Sequence, residues 1–199
     1  MKFITDLLPA TFQNSWCIAG GYAACPALAA DIDVWIYNQG GAGTLAEARQ
    51  TILEHLELRL AGYKHAWQQP FEVTERAGHV VRHADDERYS NFEVNIEKVA
   101  KVVPQGDYRH IKPIHIMVVD APNPGVLISA FDLSVHAVAI DSDGRIWQAD
   151  EFTAPTVAIR LMKQANAKTP ARYDRLCVRY NQVPTVEHFP NAEETVGAI

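Results

Sequence analysis

The segment Asp31-Ile32-Asp33-Val34-Trp35-Ile36-Tyr37 constrains this chain more than any other. Its apolar residues recur at every second position, the period of an extended strand. Ile32, Val34 and Ile36 must therefore face one way, and Asp31, Asp33 and Trp35 the other. A strand this apolar belongs inside a sheet. Yet its second face carries two adjacent carboxylates, with no Lys or Arg in the segment to offset their repulsion. Desolvating such charges is costly unless a cation meets them. Any fold of this chain has to bury one face of the strand and bring a compensating group to the other.

The surrounding elements predict an α+β domain, a mixed sheet flanked by helices. Phe3 to Phe12 reads as a short amphipathic helix limited by Pro9, and "SWCIAG" as a brief strand ending in glycines. "TLAEARQTILEHLELRL" opens with Thr44 and Glu47 at capping-box spacing, and Leu45, Ala48, Ile52, Leu56 and Leu60 trace a helical stripe. "PFEVTERAG", "FEVNIEKVAKVV", "IKPIHIMVVD" and "AFDLSVHAVAID" read as strands, and "RHADDERYSN" as a solvated loop. "APNPG" breaks regular structure between the last two strands, and "DSDG" is a tight turn before the return strand "RIWQADEF". "TAPTVAIRLMKQANA" and "PARYDRLCVRYNQ" read as two helices. With 199 residues, 48% of them hydrophobic and 21% charged, the chain suits one domain over residues 1–182 and a C-terminal tail over 183–199.

Charge is mild overall, at −6, which argues against a general nucleic-acid coat protein. It is uneven, however: Arg160, Lys163, Lys168, Arg172, Arg175 and Arg179 face only Asp174 over residues 153–182, leaving an acidic body. Such a chain can hold cations in one place and phosphates in another. Cys17, Cys25 and Cys177 are isolated and lie among apolar residues, as buried thiols of a reducing compartment do. The first residues lack a signal peptide's long apolar run, and no stretch has the length to span a bilayer, so a cytoplasmic protein without a membrane partner is expected.

A divalent cation between Asp31 and Asp33 would resolve their conflict. Hard oxygen ligands suit Mg²⁺, which keeps waters and takes substrate phosphates as its other ligands. Upstream, Gly20-Gly21 ends a strand where backbone N–H groups can approach an anion without Cβ interference. A third carboxylate is expected from a neighbouring strand, and Asp132 interrupts an apolar one, sharing its face with Ser134 and His136. His136 reads as a structural residue of that strand. His79, His83, His110 and His115 show no ligand spacing.

Gly20-Gly21, a spacer, and Asp31-Ile32-Asp33 together resemble the signature of the DNA polymerase β-like nucleotidyltransferase superfamily. "FDLSVHAVAID" is similar to the later strand that brings the third acid in compact members, and "RYDRLCVRYNQ" to their terminal basic helix. The resemblance covers residues 15–37 and 126–182. It implies transfer of an NMP group from an NTP to an acceptor hydroxyl on RNA, protein or a small molecule. It also implies two Mg²⁺ ions, which Mn²⁺ can replace, held by Asp31, Asp33 and Asp132. Gly20, Gly21 and the adjoining Tyr22 would then line the nucleotide, with Lys163, Arg172, Arg175 and Arg179 on the triphosphate or the acceptor. Tyr22 stands where many members carry a serine, whose hydroxyl touches the triphosphate. Phosphate binding then rests on backbone amides and basic side chains, and a nucleotide-binding or regulatory protein without turnover is the alternative.

Two other motifs compete. Gly41-Ala42-Gly43-Thr44-Leu45-Ala46 satisfies the G-x-G-x-x-A dinucleotide fingerprint between a strand and a helix. The two aspartates of the preceding strand and the lack of repeated βα units argue against it. A phosphate-binding P-loop is excluded by the missing lysine.

Overall fold

The computed structural model describes residues 2–37, 43–63, 65–76, 94–155, 158–162 and 169–181. In chain order these form α1 (Lys2–Leu7), β1 (Trp16–Ala19), α2 (Gly21–Ala24), β2 (Ile32–Ile36), α3 (Leu45–Ala61), β3 (Phe71–Arg76), β4 (Ile96–Pro104), β5 (Ile114–Val119), α4 (Pro124–Ser129), β6 (Val138–Asp141), β7 (Ile146–Gln148) and α5 (Thr169–Arg179). The strands join one mixed sheet in the order β3-β4-β5-β2-β1-β6-β7. This is the α+β architecture expected. Every neighbouring pair is antiparallel except β2 and β5, which run parallel at the centre.

The alternation of β2 sorts its side chains as its period requires. Ile32, Val34 and Ile36 join a core with Ile18, Ile114, Ile116 and Val118, covered by α1 and by Ala48, Ile52 and Leu56 of α3. On the opposite face Trp35 packs with Cys17, Met117, Val119 and Phe131 beneath Leu127 and Ile128 of α4. Thr44 caps α3 in the reciprocal box anticipated, its hydroxyl accepting from Glu47 N–H and the Glu47 carboxylate accepting from Thr44 N–H. A third cluster docks α5: Tyr173, Leu176 and Cys177 pack against Leu133, Val135 and Ile159.

Several elements depart from the expected ones. Pro9 divides the first helix, leaving α1 and a single 3₁₀ turn over Ala10–Phe12. "APNPG" starts a helix as well as breaking a strand: the Asn123 side chain accepts from Val126 N–H and Pro124 occupies the first turn of α4. "AFDLSVHAVAID" is a strand only over Val138–Asp141, because Ser134–His136 form a 3₁₀ turn ahead of it. No helix forms over the described part of "TAPTVAIRLMKQANA"; Leu161 instead bridges Leu133, and Met162 N–H donates to Asp132 O. The polar loop at 82–91, the tail at 183–199 and Lys163 lie outside the described residues. Among the described residues, no helix is long and apolar enough to cross a membrane.

Position on α3 sets the cost of truncation. Ile52 is fully buried while Leu58 is 75% exposed. Ile52→Ala is expected to lower stability by about 3 kcal/mol, through lost burial and the cavity left behind. Leu58→Ala should stay within about 0.5 kcal/mol of the unaltered protein. Urea denaturation of the two variants checks the contrast.

Candidate functional site

Gly20 ends β1 with φ +83° and ψ −143°, a conformation that L side chains rarely adopt. Its N–H donates to Val138 O on β6, so the chain is held there while it reverses into α2. A Cβ on Gly20 would lie 3.9 Å from Asp33 Oδ2, an ordinary contact. Backbone strain, not crowding, therefore demands the glycine. Gly21 has nothing within 4 Å of where its Cβ would be, which leaves its backbone open on the same side.

Asp31 lies just before β2 and Asp33 within it, and both border a cavity of about 240 Å³ that Gly20 and Gly21 also line. The aromatic part of the lining is Trp35 and Phe131, whose rings meet edge-on with centroids 5.8 Å apart. Arg172, Arg175 and Arg179 of α5 line the same cavity. Their spacing places all three on one helix face, while Tyr173, Leu176 and Cys177 hold the other in the core. The cavity thus has an acidic rim, an aromatic lining and a basic wall.

The partner of the aspartate pair is His115. Parallel pairing of β2 with β5 sets Asp33 opposite His115. Its Nδ1 lies 3.6 Å from Asp33 Oδ1 and 3.9 Å from Asp31 Oδ2, ion-pair distances with all three side chains partly exposed. The Asp33 carboxylate beside it raises the affinity of the imidazole for its proton; burial and the Lys101 charge act the other way and are outweighed. His115 carries no local signal for this role, because only the strand pairing, remote in sequence, brings it to the pair.

Asp132 does not join the aspartate pair. It sits in an irregular segment ahead of β6, not on a strand, and it is 3% exposed. Its Oδ2 accepts from Arg172 Nη1 at 2.8 Å and from Thr169 Oγ1 at 3.1 Å. A buried carboxylate needs such partners, and α5 supplies both. Among the described residues, no three His, Cys, Asp or Glu side chains form a group able to hold a metal ion. Tyr22 is not part of the cavity lining either. Its ring packs on the first core cluster, with Lys112 Nζ 6.0 Å from the ring centroid.

Arg172 also reaches His136, with Nη2 3.4 Å from Nδ1. A guanidinium only donates, so Nδ1 accepts and the imidazole is neutral with its proton on Nε2. Removal from water, then the charges of Arg172 and Arg179, push His136 down to about 3 from its usual 6.5. Asp132 and His136 together fix the guanidinium that forms part of the basic wall.

The shift of His136 sets a pH dependence. Its folded-state pKa is depressed, so in acid the unfolded chain binds a proton there that the folded chain refuses. The stability this confers is present above about 6.5 and is lost as pH falls towards 3. His136→Gln is expected to flatten that acid limb, by up to about 1.4 kcal/mol per pH unit, in urea titrations between neutral and acid pH. No protein-family model matches the chain, and no curated protein matches it in sequence.

Proposed function

We propose that the cavity binds a nucleoside triphosphate as its Mg²⁺ complex, and that the protein moves an NMP group to an acceptor hydroxyl, as its resemblance to the DNA polymerase β-like superfamily implies. One observation carries this reading: the carboxylate pair and three arginines line a single cavity, beside a strained glycine. Such a site suits a ligand that is cationic at one end and polyanionic at the other.

The donor set tests the metal requirement. Asp31 and Asp33 are hard oxygen donors on one side of the cavity, and they fit one divalent cation whose remaining ligands are phosphate oxygens and water. A second ion lacks its third carboxylate, because Asp132 is engaged by Arg172 and Thr169. The reading therefore places one ion at the aspartate pair. The bound cation would offset charge on the phosphates and orient them for displacement. Arg172, Arg175 and Arg179 neutralise the triphosphate and the charge that builds on the leaving pyrophosphate. Trp35 and Phe131 keep the aromatic side of the cavity apolar and offer the base a surface.

The diversion of Asp132 favours a second reading, nucleotide binding without turnover. Calorimetry with Mg²⁺ and each NTP, run beside a transfer assay with labelled nucleotide, separates the two. Transfer requires binding and labelled product together; binding without product leaves the regulatory reading. Asp33→Asn is expected to abolish Mg²⁺-dependent binding and any transfer while the fold survives. Full retention of both in that variant would remove Asp33 from the site.

A further inference from the structure

Lys112 lies in the turn that leads into β5, and its side chain crosses to the loop between α2 and β2. There the ammonium donates to the backbone carbonyls of Pro26, at 2.6 Å, and of Ala27 and Ala29. These carbonyls lie two to five residues before Asp31 in the chain. Only a cation or several separate donors can satisfy three carbonyl oxygens turned to one point, and the loop's N–H groups of Leu28 and Ala29 are both committed to Cys25 O. The same ammonium lies 6.0 Å from the ring centroid of Tyr22 in α2, the helix that follows the glycine pair. The next residue in the turn, Pro113, accepts from Ile32 N–H at 2.8 Å, which seats the start of β2.

We propose that Lys112 is a positioning residue for the cation-binding pair: it gathers the 26–29 loop onto the entry of β5 and so fixes how Asp31 and the glycine turn meet Asp33. The inference rests on the reading of Asp31 and Asp33 as cation ligands. Neither carboxylate touches Lys112, so it acts through the loop. Asp31 is the ligand most exposed to its loss, because it stands outside β2 and lacks the strand pairing that holds Asp33.

The test uses the full chain and Mn²⁺ as the probe, because bound Mn²⁺ is read by electron paramagnetic resonance without any turnover. Lys112→Met is expected to weaken Mn²⁺ binding roughly tenfold. It should also speed amide exchange at Leu28 and Ala29. Lys112→Arg, which can still donate to carbonyls, should recover most of both. Thermal melts identify the folded fraction in each sample. A purely structural lysine would lower the melting temperature and leave the Mn²⁺ affinity of the folded protein unchanged, an outcome that overturns the proposal. If the unaltered protein binds Mn²⁺ neither alone nor with ATP, the reading of the aspartate pair falls first and the inference falls with it. Wild-type-like binding by Lys112→Met, with the unaltered protein binding normally, overturns the positioning role alone.

Discussion

The parallel pairing of β2 with β5 is the constraint on which the rest of this molecule depends. Among the described residues it is the single parallel contact in an otherwise antiparallel sheet, and it joins two largely apolar strands at the centre. Parallel strands are usually buried on both faces. Here α1 and α3 cover one face and α4 the other, so four of the five residues of β2 sit almost wholly withdrawn from water. Only Asp33 within the strand escapes, because its end of β2 opens on the cavity. The same register that buries Val34 and Ile36 puts an imidazole beside the carboxylates. Packing and site electrostatics therefore have one origin.

A second buried interaction arranges the opposite wall. Asp132 and Arg172 form an ion pair with one partner nearly inaccessible, and Thr169 and His136 occupy further positions around it. Removing either charge from such a pair strands the other in a poor solvent, so the two are mutually obligatory. Among the described residues no ion pair or side-chain hydrogen bond braces Arg175 or Arg179, and both are exposed. The basic side of the cavity thus combines one hydrogen-bonded guanidinium with two exposed ones.

Features governed by local chemistry were legible in the amino-acid order. Thr44 and Glu47 announced the start of α3, and the period of two announced β2 with its faces correctly assigned. The glycine pair and the aspartates line one cavity, since the segment between them is short enough to keep them together. Non-local decisions were not legible. Asp132 looked like a strand residue because its neighbours alternate, but a 3₁₀ turn and a contact with a helix forty residues on decide its fate. His115 and Lys112 looked ordinary because their partners lie in segments far from them in the chain. "TAPTVAIRLMKQANA" has helical composition, yet its described part is drawn out beside Leu133 by backbone pairing that composition does not encode.

The juxtaposition of an acidic rim and a basic wall has a consequence for how molecules arrive. Opposite charges lining one cavity of about 240 Å³ largely cancel at distance, so the mouth projects little net monopole. An anion approaching through solvent feels mainly the mild negative charge of the whole chain until it is within roughly a Debye length, about 8 Å at physiological salt. Capture is then governed by orientation at the threshold and not by long-range attraction, and ionic strength should alter the rate of encounter only modestly.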